Sequence, residues 1–203
     1  MIDKAISHLC EKDPEIVTLL NSFKIEDLKP EENYFKSLTR TILYQQLSGK
    51  AAKTIFDRFI SLYPNKNYPL PQDVINTKHE KLRSVGISNA KAHYIKNIAE
   101  AFINETMDHE NFHELSDEKI MDQLISIKGV GPWTTQMFLM FTLNRLDIFP
   151  TGDLGVQKGF KIYFKLKELP SAKEMLLRSE LWRPYRTIMS IYFWKVVDGP
   201  FDW

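Results

Sequence analysis

A tight turn with the sequence Gly-Val-Gly-Pro, at residues 129–132, restricts the fold of this chain more than any other feature. Helical patterns precede and follow the turn. Two glycines separated by one residue allow positive φ or close backbone approach at both positions, and a proline suits the first turn of a helix. We therefore predict two helices joined by a short hairpin over residues 124–135.

Helical patterns also fill most of the remaining sequence. Apolar residues recur at a spacing of three to four through residues 34–63, 89–103 and 183–197. Ser116 and the capping-box patterns at Thr77 and Ser171 mark three further helix starts. Convincing alternating strand patterns, long repeats and low-complexity linkers are absent from the sequence. The sequence therefore predicts an all-α fold of many short helices.

Length and composition restrict the class of protein. A chain of 203 residues can form one domain or two small lobes that share a core. The net charge of +1 counts against nucleic-acid binding, although acidic residues elsewhere could balance a basic face. The single cysteine, Cys10, excludes a disulfide framework or a Cys-rich metal site within one chain. Because the sequence has neither a signal peptide nor an apolar run of about 18 residues, we expect an intracellular protein.

The hairpin is a candidate anion site. Its amides lie at the positive end of the following helix, where backbone N–H groups can hold a phosphate without any side chain. From the Gly-x-Gly pattern alone, an ordinary helical corner is an equally good interpretation. The candidate phosphate contacts are Gly129, Val130, Gly131 and Thr134, together with Gly86 and Lys91 from a second turn over residues 85–91. For a single lysine such as Lys91, a solvated surface role is the alternative.

Four ordered motifs carry a resemblance to a known family. Residues 124–135 resemble the hairpin of the helix-hairpin-helix DNA glycosylases, and Asp153 falls where that superfamily keeps its catalytic aspartate. Residues 44–52 resemble a helix characteristic of DNA-3-methyladenine glycosylase II. Residues 181–186 and Trp194 resemble the C-terminal end of that family. The resemblance runs from about residue 34 to residue 194, which is most of the chain.

This resemblance implies a two-lobed helical HhH-GPD fold with a cleft between the lobes. It implies one domain over residues 1–203, with one lobe at about 36–140 and the other at about 1–35 plus 141–203. The hairpin and Asp153 are expected at the mouth of the cleft. The chain resembles a compact member that lacks the N-terminal β-rich domain of the best-known form.

The resemblance makes Asp153 the candidate catalytic residue. Cleavage between a base and deoxyribose develops positive charge on the sugar, and a fixed carboxylate can stabilise that charge or orient the attacking water. The alternative role is structural, because an aspartate before Leu154 is a good helix N-cap. Both roles are compatible, since a cap also fixes the direction of the carboxylate.

The damaged base must leave the stack before it can react. The resemblance implies a base pocket that contains Trp133 and Trp194, with Tyr44 as a weaker candidate, and aromatic faces attract a cationic alkylated base. For these aromatic residues the alternative is a place in the core. The wedge that fills the gap is expected at Leu47, with Gln46 and Ser48 as alternatives, and a core position for Leu47 has nearly equal weight.

Together these features predict a base-excision repair glycosylase for alkylated purines of the 3-methyladenine and 7-methylguanine type. Its partner would be double-stranded DNA with a damaged base, and we expect a monomer that is cytoplasmic in a prokaryote or nuclear in a eukaryote. Trp133 stands where lyase members of the family carry a lysine, which implies hydrolysis without lyase activity. No cofactor is implied, although family members can hold a monovalent cation through carbonyls such as those of Ile127 and Val130.

Two alternative functions stay open at the level of sequence. The first is a glycosylase for oxidised or deaminated bases, which would share the fold and the aspartate. The second is a non-catalytic protein that binds DNA structure through the hairpin. Identification of the base released from differently damaged DNA distinguishes all three.

Overall fold

A computed structural model describes residues 1–47 and 49–198, without the side chain of Asp198. The prediction of an all-α fold is confirmed, and the described residues contain no strand. The helices are α1 (Ile2–Lys12), α2 (Val17–Ser22), α3 (Tyr34–Tyr44), α4 (Gly49–Ser61), α5 (Pro71–Asn76), α6 (His79–Ser84), α7 (Asn89–Ile103), α8 (Asp117–Ile125), α9 (Pro132–Phe141), α10 (Leu154–Tyr163), α11 (Ala172–Ser179) and α12 (Arg186–Asp198).

The caps of three helices test the predicted helix starts. Ser116 accepts the Lys119 N–H at the start of α8, and Ser171 forms a capping box with Glu174 at the start of α11, as predicted. The predicted start at Thr77 is wrong. Thr77 instead ends α5, where its hydroxyl donates to the Asp73 carbonyl at 2.8 Å, and α6 begins at His79.

The chain forms two compact units. One unit contains residues 1–30 and 139–203, and the other contains residues 31–138. The predicted lobes divide the chain at residues 35/36 and 140/141, whereas the observed units divide it at 30/31 and at 138/139, within α9. No helix in the described parts of either unit combines the length and the apolar character needed to cross a membrane.

In the unit of residues 31–138, α7 has several helix neighbours. It packs against α3, α5 and α6, and its buried face includes Ala92, Ile95 and Ala99. Ser88 caps its first turn by accepting the Lys91 N–H at 3.3 Å. The amphipathic pattern predicted over residues 89–103 therefore corresponds to the helix that organises this unit.

In the unit of residues 1–30 and 139–203, α10 and α12 pack closely because two glycines of α10 face α12. A Cβ atom on Gly159 would lie 2.0 Å from the Phe193 carbonyl oxygen. A Cβ atom on Gly155 would lie 2.6 Å from the Trp194 ring. These contacts bring the N-terminus of α10, and Asp153 before it, against the side chain of Trp194.

Candidate active site

Asp153 is the N-cap of α10, so the structural alternative for this residue is confirmed. Its Oδ1 atom accepts the Val156 N–H at 2.8 Å, and its own N–H donates to the Pro150 carbonyl at 2.9 Å. The Trp194 indole N–H donates to the same Oδ1 atom at 2.8 Å. Two donors thus fix the orientation of a half-buried carboxylate at the positive end of a helix.

Trp194 lies beside this carboxylate and is 4% exposed. Its ring centroid is 5.8 Å from that of Phe141, and one edge packs on Gly155. The contact with Asp153 was not predicted from the sequence. The sequence did contain a signal for it, because Gly155 and Gly159 are spaced by one helical turn and permit a close helix neighbour.

The hairpin between α8 and α9 is closed by a bond from the Val130 N–H to the Ile127 carbonyl at 2.9 Å. Gly129 has a φ of 105°, and a Cβ atom there would lie 2.2 Å from Cγ of Tyr94. Only glycine fits this position without strain. Gly131 differs, because its φ is not positive and no atom lies within 4 Å of the place where its Cβ would be.

Thr134 is a predicted phosphate contact whose side chain lies elsewhere. It is 1% exposed, and its hydroxyl accepts the Gln45 side-chain amide at 2.8 Å. A side-chain contact with a surface phosphate is therefore incompatible with this placement. The backbone N–H of Thr134 remains a candidate, because it belongs to the first turn of α9, whose amides have no intrahelical carbonyl to bond.

Residues 45–47 follow α3 and contain the predicted wedge residues Gln46 and Leu47, and we call this segment the wedge loop. Gln46 has a φ of 55°, and both Gln46 and Leu47 are exposed. The alternative core position for Leu47 is wrong, since this apolar side chain is 40% exposed. Ser48, the third predicted wedge residue, lies outside the described residues.

The second predicted phosphate turn contains Gly86 and Lys91. Gly86 has a φ of 97°, so glycine is required there for the turn before α7. Lys91 does not have the solvent-facing position that its predicted role needs. Its ammonium donates to the Leu43 carbonyl at 2.8 Å and to the Gln45 carbonyl at 2.7 Å, and burial lowers its pKa.

The two remaining base-pocket candidates, Trp133 and Tyr44, lie in the unit of residues 31–138, and both are half-buried. The Arg40 guanidinium carbon lies 5.0 Å from the centroid of the Tyr44 ring, which is a cation–π distance. The ring of Tyr44 is therefore already near a cation. The contact of either residue with a flipped base stays a prediction.

Metal binding has little support among the described residues. They contain no group of three or more His, Cys, Asp or Glu side chains that could hold a metal ion. The hairpin carbonyls suit a hard cation by their chemistry, and Ile127 uses its oxygen for the Val130 N–H. Since a carbonyl oxygen has two lone pairs, a monovalent cation at Ile127 and Val130 stays compatible with the turn.

The family of the chain follows from a comparison over most of its length. Residues 39–184 match the model of the HhH-GPD superfamily base excision DNA repair proteins. The chain belongs to this superfamily. The matched region of the HhH-GPD protein includes the wedge loop, the hairpin and Asp153, so the resemblance seen in the sequence is confirmed.

Named relatives of this HhH-GPD protein agree with the family match. DNA-3-methyladenine glycosylase 1 of Schizosaccharomyces pombe is 34% identical over 191 residues, which cover 94% of this chain and 84% of the relative. DNA-3-methyladenine glycosylase of Saccharomyces cerevisiae is 32% identical over 209 residues, which cover 96% of this chain and 70% of the relative. The solved structure of the S. pombe 3-methyladenine DNA glycosylase in complex with abasic DNA superposes with a TM-score of 0.89 at 33% identity, covering 98% of this chain and 100% of that chain.

Proposed function

We propose that this protein is a base-excision repair glycosylase that removes alkylated purines, such as 3-methyladenine and 7-methylguanine, from double-stranded DNA. The observation that carries the proposal is the carboxylate of Asp153, held by the N–H groups of Val156 and Trp194. The similarity to enzymes named DNA-3-methyladenine glycosylase supports the substrate class.

Asp153 would act on the sugar of the damaged nucleotide. As the glycosidic bond breaks, positive charge develops on the deoxyribose, and a fixed carboxylate lowers the energy of that state. Because two donors already hold its Oδ1 atom, the carboxylate needs no reorientation during the reaction. Each 1.4 kcal/mol of stabilisation corresponds to about a tenfold gain in rate.

The hairpin would hold the DNA backbone through its amides. Gly131 has open space at its Cβ position, which lets a phosphate approach the backbone closely. Such a contact positions DNA without reading its sequence. Gly129 and the amide of Thr134 complete the proposed phosphate site, and Gly86 supplies the turn for a second one. Val130, predicted as a phosphate contact, is excluded, because its N–H donates to the Ile127 carbonyl at 2.9 Å and the residue is buried.

Leu47 would enter the duplex as the damaged base leaves it. An exposed apolar side chain on a loop with a fixed backbone suits this role, and Gln46 is its exposed neighbour. Trp133, Trp194 and Tyr44 are each proposed contacts of the flipped base. A purine alkylated at N3 or N7 is cationic, so aromatic faces attract it while its charge makes it a good leaving group.

The proposed reaction uses water and leaves the DNA strand intact. Trp133 occupies the first turn of α9, where the lyase members of the family carry a lysine nucleophile. The proposal therefore includes hydrolysis by a monomer, without an organic cofactor and without a Schiff-base intermediate.

The decisive experiment identifies the released base. The protein is incubated separately with methylated, oxoguanine-containing and uracil-containing duplex DNA, and free bases are separated by chromatography. Release of methylated purines alone is the expected result. Release of oxoguanine or uracil instead would establish the alternative substrates, and binding without release of any base would establish a non-catalytic DNA-binding protein.

A further inference from the structure

We propose that Lys91 is a positioning residue that holds the wedge loop, residues 45–47, in the conformation that presents Leu47 to DNA. The proposal rests on the proposed function in one respect, namely that Leu47 is the wedge. It replaces the phosphate contact predicted from the sequence with a bond inside the protein.

The ammonium of Lys91 bonds the end of α3 and the first residue of the wedge loop. It donates to the carbonyls of Leu43 and Gln45, at 2.8 and 2.7 Å. The last carbonyls of a helix have no intrahelical donor and lie at its negative end, so an ammonium both satisfies and stabilises them. Burial lowers the pKa of Lys91, which agrees with an ammonium that is partly removed from water.

The wedge loop has a backbone that needs such support. Gln46 has a φ of 55°, in the left-handed region that residues with a Cβ rarely adopt. A conformation of this kind persists only where the surrounding structure enforces it. Lys91 holds the Gln45 carbonyl, and Thr134 holds the Gln45 side chain at 2.8 Å, so the residue before Gln46 is fixed at two points.

The same helix that carries Lys91 also holds the hairpin. The Tyr94 ring packs under Gly129, and the Asn97 side-chain amide donates to the Lys128 carbonyl at 2.8 Å. One face of α7 carries all three side chains, because a spacing of three positions separates Lys91, Tyr94 and Asn97. One helix face therefore sets both the wedge loop and the hairpin, and it fixes the distance between the wedge and the phosphate contact.

This role differs measurably from a phosphate contact. A lysine that neutralises one phosphate contributes about 0.9 to the slope of log binding constant against log salt concentration. A lysine that acts through Leu47 leaves this slope unchanged. It affects instead the step in which the base leaves the stack, and this step is less demanding when the lesion is mismatched.

The experiment compares Lys91→Met with Lys119→Met, which removes one exposed lysine of the same unit. Three quantities are measured for each variant and for the wild type. They are the salt dependence of binding to a duplex with an abasic site, the fluorescence of 2-aminopurine beside that site, and single-turnover release of 7-methylguanine from paired and mismatched duplexes. Each variant is also made in a Leu47→Ala background.

We expect Lys91→Met to lower release from the paired duplex about tenfold, with a smaller loss on the mismatched duplex. The change in 2-aminopurine fluorescence on binding should become smaller, and the salt dependence of DNA binding should match that of the wild type. In the Leu47→Ala background, Lys91→Met should have no further effect on base release or on fluorescence. Lys119→Met should leave all of these quantities unchanged. A slope lowered by about 0.9 with equal losses on both duplexes would overturn the proposal.

Two further outcomes are decisive. If Lys91→Met does not fold, Gln45→Ala replaces it, because this variant removes the bond between the Gln45 side chain and Thr134. The effects of Gln45→Ala on base release and fluorescence must also vanish in the Leu47→Ala background. If the effects of the two substitutions are instead fully additive, the proposal is overturned. If Leu47→Ala leaves the fluorescence signal unchanged, the proposal fails as well. A wild-type protein that releases no alkylated base would refute the proposed function. The role of Lys91 can still be tested in that case, because the measurements of DNA binding and of 2-aminopurine fluorescence require no base release.

Discussion

The Trp194 indole N–H donates to the Oδ1 atom of Asp153 at 2.8 Å, and this bond joins α12 to the N-terminus of α10. The same oxygen accepts the Val156 N–H of the helix that Asp153 caps. One carboxylate oxygen thus serves the local helix and a residue that lies 41 positions away in the sequence. The proposed chemistry depends on this arrangement, because the direction of the carboxylate is set before DNA binds.

Asp153→Asn should remove base release with little effect on folding. Asparagine is as good an N-cap as aspartate, so the free energy of unfolding should change by less than about 1 kcal/mol. The negative charge is lost, and the single-turnover rate should fall by at least about 100-fold. Thermal unfolding and binding to abasic DNA serve as controls. Full activity in this variant would refute the proposed mechanism.

Trp194→Phe should slow the reaction by about tenfold, because Asp153 loses the Trp194 N–H that helps to orient its carboxylate. The matched control is Trp182→Phe, since the Trp182 indole N–H donates to the buried carboxylate of Asp13 at 2.7 Å. Each variant loses one bond to a carboxylate and should lose about 1.5–3 kcal/mol of stability. Only Trp194→Phe should change the single-turnover rate, and equal rates in both variants would contradict an orienting role.

Gly159→Ala should destabilise the fold, although alanine normally favours a helix over glycine by about 1 kcal/mol. The added Cβ would meet the Phe193 carbonyl at 2.0 Å, so α10 and α12 must separate. We expect a loss of about 1–3 kcal/mol in denaturant unfolding. Gly152→Ala, with no atom within 4 Å of its Cβ, should show no comparable loss.

Gly131→Ala should weaken DNA binding without destabilising the protein. Its Cβ would project into open space on the hairpin, where the phosphate is proposed to approach. The affinity for duplex DNA should fall about equally at every salt concentration, and the salt slope should stay near that of the wild type, because a neutral backbone amide neutralises no phosphate charge. Gly129→Ala should instead destabilise the fold, because the positive φ and the Tyr94 ring both exclude a side chain. Unchanged DNA binding by Gly131→Ala would argue against the hairpin contact.

Borohydride should trap no covalent adduct between the protein and methylated duplex DNA. The reason is the tryptophan at position 133, which cannot form a Schiff base with the opened sugar. Trapping is measured by electrophoresis under denaturing conditions, with a lyase-type glycosylase on its own substrate as the positive control. A trapped species would show that another amine, such as that of Lys128, acts as a nucleophile.

The sequence by itself determined the helical class, the place of the hairpin and the identity of the candidate carboxylate. The first two features depend on local patterns, namely apolar spacing and a Gly-x-Gly-Pro turn. An aspartate before a helix predicts only a cap, and the choice of Asp153 as the candidate carboxylate depends on the resemblance to the helix-hairpin-helix DNA glycosylases. Local patterns also explain why Ser116 and Ser171 were predicted correctly as caps. The same reasoning predicted a cap at Thr77. This prediction was wrong, because the Thr77 hydroxyl bonds the Asp73 carbonyl and the Tyr63 hydroxyl instead of capping α6.

Only the tertiary structure decided what each polar side chain bonds. Lys91, predicted as a phosphate contact, instead donates to two carbonyls. The Thr134 hydroxyl is a buried acceptor for the Gln45 amide, so only the backbone N–H of Thr134 stays a proposed phosphate contact. The partners of Lys91 lie 46 and 48 positions away, and that of Thr134 lies 89 positions away. Sequence patterns report the spacing of neighbours along one element, whereas these bonds depend on how separate helices pack. The bond from Trp194 to Asp153 exists for the same reason, because Gly155 and Gly159 permit α12 to approach α10.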